Sequence, residues 1–220
     1  MKILELFSGS GIMSKTFRDA GHETVTLDTN YPADISADIL KFPKWIMESA
    51  TTDVIWASPP CTTFSVASIG THWKGGKGIY EPKTDACKKG LEMLNMTIKI
   101  IASMKPKYWF IENPRGVMRK VIEGMFADNE IPSFTRHTVC YCRYGEKRMK
   151  PTDIWTNCSN WKPIDKMCHN GNPDHEPAPR GSKTGTQGLK NNFERSKLPK
   201  ELCKEIVKSC ALSKANETIY

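Results

Sequence analysis

The sequence predicts an α/β fold with a mainly parallel sheet, and three observations predict it. Short apolar runs alternate with segments of helical periodicity, the pattern of a sheet covered by helices. The first apolar run, Ile3-Leu4-Glu5-Leu6-Phe7, opens into a glycine-rich turn, Ser8-Gly9-Ser10-Gly11. Two later apolar runs, Asp53–Ala57 and Tyr108–Ile111, each end in reactive residues, Ser58-Pro59-Pro60-Cys61 and Glu112-Asn113-Pro114. Ligands of open α/β sheets bind at the carboxyl ends of the strands, so turn, thiol and acid are expected along one edge.

The elements follow in order. Ile3–Phe7 is a short buried strand. Ile12–Ala20 has helical spacing, and Gly21 stands where a left-handed residue stops a helix. His22–Leu27 alternates and is rich in Val and Thr, as a second strand should be, and closes on Asp28. Asp34–Leu40 is a shorter segment with Asp38 near its end. Asp53–Ala57 is the strand before the Pro-Pro-Cys turn. From Thr62 to about Lys83 the Gly/Lys/Ser/Thr composition predicts a long loop without packed elements, a length usually kept for function. Thr84–Met104 predicts a helix with Leu91, Leu94, Ile98 and Ile101 on one face, ended by Pro106. Tyr108–Ile111 is a strand and Val117–Phe126 a helix. Thr138–Tyr144 and Thr152–Trp155 predict the two strands of a late hairpin. From Thr156 to about Asn192, Asn, Pro, Gly and Lys dominate and apolar periodicity vanishes. Pro199 then sits where the first turn of a helix carrying Leu202, Ile206 and Val207 begins. The division expected is a main domain over 1–155, a loop-rich insert over 156–192, and a C-terminal helical segment over 193–220 packing back on the main domain.

A chain of 220 residues with 39% hydrophobic composition can bury one substantial core. No apolar run is long enough to cross a bilayer, and no secretory pattern precedes the first strand, so the cytoplasm is the expected compartment and no membrane is involved. The eight cysteines then read as free thiols, a nucleophile or metal ligands rather than a disulfide framework. The formal net charge of +8 favours a polyanionic partner, nucleic acid first.

The glycines at 9 and 11 let backbone approach a ligand, and Asp28 closes the next strand about 20 residues on, where an acid can bond ribose hydroxyls. Ser14 replaces the third glycine of the dinucleotide fingerprint, which argues against a pyrophosphate. A plain tight turn would leave the same trace. A methyl donor carrying adenosine and an amino-acid tail suits the turn, so S-adenosylmethionine is the preferred cofactor. Cys61 differs from Cys87, Cys203 and Cys210. Those fall on predicted helices and read as core filler, whereas two prolines aim Cys61 from a strand end. Glu112 ends an apolar strand, where an acid can exchange a proton with a ring nitrogen; a helix N-terminal acid is the structural alternative.

Taken together, Leu6-Phe7-Ser8-Gly9-Ser10-Gly11, Ser58-Pro59-Pro60-Cys61-Thr62-Thr63-Phe64-Ser65 and Glu112-Asn113-Pro114-Arg115-Gly116 resemble the motifs of the DNA (cytosine-5-)-methyltransferase family, in a small phage-like or orphan form. The resemblance implies a Rossmann-like methyltransferase fold and transfer of a methyl group to carbon 5 of a flipped-out cytosine in double-stranded DNA by a monomer. It implies that Cys61 attacks carbon 6, and that Glu112 supports protonation at ring nitrogen 3. It further implies that Phe7, Ser8, Gly9 and Gly11 line S-adenosylmethionine, that Asp28 holds the ribose, that Asp38 with Ile39 flanks the adenine, and that the Pro59 backbone meets the amino group. The 62–83 loop would close over the flipped base, with Lys74 and Lys77 on phosphates. The setting implied is the cytoplasm of a bacterium or phage-infected cell, in restriction–modification or an orphan role.

Two departures stand out. The family's Gln-x-Arg-x-Arg is replaced by Arg148-Met149-Lys150-Pro151-Thr152, so Arg148 or Lys150 is the candidate base-contacting cation, a solvated surface charge being the alternative. Gly-Asn-x-Val-Pro is replaced by Arg195-Ser196-Lys197-Leu198-Pro199, whose cations are expected to meet a phosphate or Glu194 rather than an extra carboxylate on the cofactor. The short insert predicts a recognition site of about two to four base pairs, read by Arg180, Lys183 and Gln187. Among the cysteines and histidines around it, Cys158, Cys168 and His175 are candidate zinc ligands, but the spacing fits no common finger and free thiols are the favoured reading. Cytosine methylation in RNA and a catalytically silent DNA-binding module are the rival functions.

Overall fold

The computed structural model describes residues 1–49, 51–76, 79–163, 167–169, 171–177 and 191–217. Strand β1 (Lys2–Leu6) leads into helix α1 (Ile12–Asp19), which ends before Gly21 at φ +81°. Then come β2 (Glu23–Asp28), β3 (Ile35–Ser36), a 3-10 turn over Ile39–Lys41, α2 (Lys44–Ser49) and β4 (Val54–Ala57). The next stretch carries a 3-10 turn (Val66–Ser68), α3 (Ile69–His72) and a hairpin of β5 (Trp73–Gly76) and β6 (Ile79–Pro82). Helix α4 (Asp85–Met104) is capped by the Thr84 hydroxyl, which accepts the Cys87 N–H. There follow β7 (Tyr108–Pro114), α5 (Met118–Asp128), β8 (Thr135–Cys140), a 3-10 turn (Tyr141–Tyr144), β9 (Pro151–Thr156), α6 (Asn192–Ser196) and α7 (Lys200–Glu217).

The main sheet has the order β3-β2-β1-β4-β7-β9-β8. Strands β3, β2, β1, β4 and β7 run parallel, and β9 is antiparallel to both neighbours. Side chains alternate between its faces, as the twofold period of a strand requires. Leu4, Leu6, Ile55, Ala57, Trp109 and Ile111 join Leu94, Ile98, Ile122 and Phe126 on one side. Ile3, Val54, Trp56, Tyr108 and Phe110 join Met13 and Phe17 of α1 and Leu202, Cys203 and Ile206 of α7 on the other. Both faces are covered, which is why the central strands read as nearly continuous apolar runs. Cys87, Cys203 and Cys210 are core residues.

Two expectations need correction. The 62–83 stretch is not free of packed structure: buried Trp73 stacks near Phe64 and Tyr80 and donates its indole N–H to the Thr63 carbonyl at 2.6 Å. One aromatic anchor thus organises a segment whose composition is that of a loop. The strand expected over Thr138–Tyr144 stops at Cys140, because the next four residues tighten into a 3-10 turn closed by Gly145 at φ +83°. The sequence also gave no sign of α2. In the segment after β9, Cys158 and Trp161 lie in the core, and Trp161 Nε1 donates to Glu205 of α7 at 2.7 Å. Among the described residues, no helix is long and apolar enough to cross a membrane.

Candidate active site

The parallel register sets Leu6 beside Ala57, and Ala57 beside Ile111. The residues that follow these three strands therefore emerge side by side. They are the glycine turn, the Pro-Pro-Cys turn and Glu112. Because β9 is antiparallel, it begins at this same edge, with Pro114 paired to Thr152. Its approach delivers Lys150 to the acid.

Glu112 is buried. Its Oε1 accepts the Tyr141 hydroxyl at 2.8 Å and lies 3.9 Å from Lys150 Nζ, which also sits 4.6 Å from the Tyr141 ring centroid. Tyr141 is fully buried beside that carboxylate, and both facts hold its phenol well above the ordinary range. Cys61 is partly exposed. Burial of the sulfur by the surrounding walls raises its pKa above the ordinary 9.0; Lys150 pulls it down, Glu112 pushes it up, and Arg195 pulls it down again. Thiol, acid and two cations thus act on one another within one site.

Backbone ties hold the two strand-end turns together. Asn113 Nδ2 donates to the Pro59 carbonyl at 2.8 Å, Val117 N to the Phe64 carbonyl at 2.8 Å, and Arg115 N to the Pro151 carbonyl at 2.9 Å. Gly116 is obligatory, since a Cβ there would stand 2.0 Å from Phe64 O.

In the glycine turn, Phe7, Gly9 and Gly11 all have positive φ, and a Cβ on Gly11 would meet nothing within 4 Å. Asp28 accepts the N–H groups of Gly9, Asn30 and Tyr31 at 2.9, 2.7 and 3.1 Å. A carboxylate offers about four acceptor positions, so one remains for a ligand hydroxyl. Ser8 Oγ and Asn113 Oδ1 are buried with no hydrogen-bond partner among the described residues. Asp38 caps the 3-10 turn through Leu40 N at 3.1 Å, and Ile39 is buried in the core beneath. An open glycine cradle with an orphaned hydroxyl and an acid with one acceptor position left fits a nucleoside ligand.

Helix α6 lies across both regions. The Ser196 hydroxyl comes within 3.8 Å of where a Gly9 Cβ would be, and the Phe193 ring packs tilted against Tyr31 with centroids 5.1 Å apart. Lys150 Nζ donates to the Arg195 carbonyl at 3.1 Å. Arg148 is buried and donates to the carbonyls of Glu194, Arg195 and Lys197 and to Glu146. Of the two candidate base-contacting cations, then, Lys150 stands at Glu112 and Arg148 is committed to holding the C-terminal segment. Lys197 pairs with Glu194 at 2.8 Å.

Other expected positions disperse. Lys74 is exposed on β5; Lys77, Arg180, Lys183 and Gln187 lie outside the described residues. The candidate metal trio, which was not the favoured reading, does not assemble: Cys158 shares a hydrogen bond with Cys210 in the core under α7, while Cys168 and His175 meet Cys142 instead. Sequence spacing cannot report which side of a strand end a thiol takes. Tyr141 was missed altogether. Its only trace is one aromatic in the alternating run Val139-Cys140-Tyr141, which marks it as buried without saying what it faces.

This edge, on this sheet, defines a methyltransferase-type α/β protein. Residues 1–128 match the family model described as C-5 cytosine-specific DNA methylase. A probable DNA (cytosine-5)-methyltransferase of Frog virus 3 (isolate Goorha) is 32% identical over 172 residues, 76% of this chain and 75% of the relative. The chain belongs to the C-5 cytosine-specific DNA methylase family. Solved structures agree in fold. The Entamoeba histolytica methyltransferase EhMeth superposes with a TM-score of 0.55 at 14% identity, covering 71% of this chain and 52% of the other. A putative DNA modification methyltransferase encoded within an E. coli prophage gives 0.51 at 16% identity, over 71% and 46%. The chain thus spans about half the length of these solved proteins.

Proposed function

We propose that the protein methylates carbon 5 of cytosine in DNA through a covalent bond between Cys61 and carbon 6 of the base. The observation that carries this reading is the shared edge at which Glu112, Lys150 and Tyr141 meet around one carboxylate oxygen, while the neighbouring Pro-Pro-Cys turn is tied to the same strand end by Asn113 Nδ2 donating to the Pro59 carbonyl at 2.8 Å.

The residues divide the work as follows. Attack requires a thiolate, and Lys150 offsets part of what burial takes from it. As sulfur bonds to carbon 6, electron density moves into the ring toward nitrogen 3. Glu112 meets that nitrogen with a proton, so charge does not accumulate on the ring. Tyr141 donates to Oε1 and Lys150 Nζ stands 3.9 Å from that same oxygen, which leaves Oε2 available to the ring. Carbon 5 is then a nucleophile. S-adenosylmethionine, when bound, supplies an electrophilic methyl group on a sulfonium. Loss of the carbon 5 proton to water, expulsion of the Cys61 thiolate and return of the nitrogen 3 proton to Glu112 restore the aromatic ring, so one hard displacement becomes several easier steps. Phe7, Ser8, Gly9, Gly11, Asp28, Asp38, Ile39 and Pro59 are the residues that would hold the cofactor. Lys150 takes the family's arginine position at the base. Because the target carbon is stacked inside a duplex, the base must be everted to reach Cys61.

A duplex containing 5-fluorocytosine tests the proposal, since fluorine cannot leave as a proton does. Incubation with S-adenosylmethionine should give a covalent adduct that resists denaturant, that Cys61→Ser abolishes, and that maps to Cys61 by mass spectrometry. Tight binding of the duplex with no adduct, or an adduct on another residue, defeats it.

A further inference from the structure

The described residues 167–169 and 171–177 carry almost no apolar side chains beyond Met167, yet they are held against the 3-10 turn after β8. Sulfur and imidazole make the join. Among the described residues, the ligand atoms of Cys142, Cys168 and His175 all lie within 4.8 Å of one another, with Cys168 Sγ and His175 Nδ1 3.3 Å apart. Cys140 Sγ accepts the Cys168 backbone N–H at 3.3 Å, and the three cysteines form one buried cluster beside Met149.

We propose that Cys142, Cys168 and His175 bind a zinc ion, with water in the fourth position and Cys140 supporting the site from outside through its hydrogen bond from the Cys168 N–H. Two thiolates and an imidazole are a donor set that favours zinc over the harder divalent ions. A zinc–sulfur bond of about 2.3 Å in a tetrahedron sets sulfurs about 3.8 Å apart, so the cluster is already close to ligand spacing. Charge pairs preorganise it: Arg143 pairs with Asp174, Lys147 pairs with Glu176 at 2.8 Å, and Glu176 N donates to the Lys147 carbonyl at 3.0 Å. Each pair joins the same two segments that the metal would bridge. Coordination would offset the chain entropy of a segment that has no core of its own.

The placement matters for the edge described above. Cys140 and Cys142 flank Tyr141, whose side chain packs into the other core and reaches Glu112. The metal therefore fastens the far side of the turn that carries Tyr141. This inference stands apart from the proposed reaction, because its readout is metal content.

The test uses the full chain, purified under reducing conditions, loaded with zinc sulfate and desalted. Elemental analysis should find one zinc per chain. Competition with a chromophoric chelator should show binding weakened at least about tenfold by Cys142→Ser and by His175→Ala, while Cys158→Ser binds as the parent does. Cobalt loading of the parent chain should give tetrahedral d–d bands and a thiolate charge-transfer band that weakens in Cys142→Ser. The cobalt spectrum decides even if the ligand variants fold poorly. The proposal is overturned by a parent chain that retains no zinc, by zinc retention unchanged in Cys142→Ser/Cys168→Ser, or by a Cys142–Cys168 disulfide in the protein as isolated.

Discussion

A thiol that attacks an aromatic ring must first carry negative charge, and at Cys61 two neighbours contest that charge. Burial raises the thiol above its ordinary 9.0, Lys150 lowers it and Glu112 raises it. Alkylation of Cys61 by iodoacetamide should therefore climb about tenfold per pH unit from pH 7 upward, with no levelling at 9.0. Lys150→Met removes the largest favourable influence, so the reaction should slow at every pH and its inflection should move higher. Peptide mapping isolates the signal, because the other seven cysteines are buried. A plateau below pH 9, or a Lys150→Met profile that overlays the parent, contradicts this account. At this scale the motif residues were legible one by one. What each faces was not: Tyr141 carried no motif, and Arg148 and Lys150, both just ahead of β9, are told apart only by their contacts, Lys150 beside Glu112 and Arg148 on the C-terminal segment.

The reversed direction of β9 is a property of an element. A parallel strand brings the residues after it to the carboxyl edge; antiparallel β9 brings the residues before it, so Lys150 arrives at Glu112 from the other direction. The close meeting of the turn after β4 with the start of α5 is equally a matter of elements. Gly116→Ala would drive a Cβ into the Phe64 carbonyl at 2.0 Å, against backbone that cannot rotate away. It should cost about 3 kcal/mol by overpacking and depress adduct formation at Cys61, as read by denaturant unfolding and trapping. Gly124 gives the opposite expectation. It lies within α5, where a Cβ would meet nothing within 4 Å. Gly124→Ala should stabilise by about 0.5–1 kcal/mol. Equal effects from the two substitutions would remove the steric argument. Helix α4 was legible to within a residue, because Thr84 caps it and its apolar face is regular. The β5–β6 hairpin was not, because its order comes from Trp73 reaching Thr63, a contact that composition does not encode.

Across the whole molecule, a buried acid whose pKa is raised lies outside the proposed chemistry. Glu5 sits on β1 between the sheet and α1, accepting Ser14 N at 2.9 Å, and burial raises its pKa from 4.5 to about 7. The folded state thus holds a proton that the unfolded chain gives up. Stability from this group is fully present below pH 4.5 and is lost as pH rises through about 7. The span amounts to at most about 3 kcal/mol. Glu5→Gln keeps an acceptor for Ser14 without the charge, so its stability should fall less than the parent's between pH 5 and 8 in thermal unfolding. Parallel curves for the two proteins would show that Glu5 does not titrate in this window. The fold class, the order of the parallel strands' motifs and the family were determined by sequence alone, because apolar period, turn glycines and strand-end residues are local signals written in consecutive positions. Only the tertiary structure decided which cation serves Glu112, that Arg148 clamps the C-terminal segment, and that Cys142 rather than Cys158 joins Cys168 and His175. Those outcomes depend on strand direction and on which side of a turn a side chain leaves, and neither is encoded in spacing along the chain.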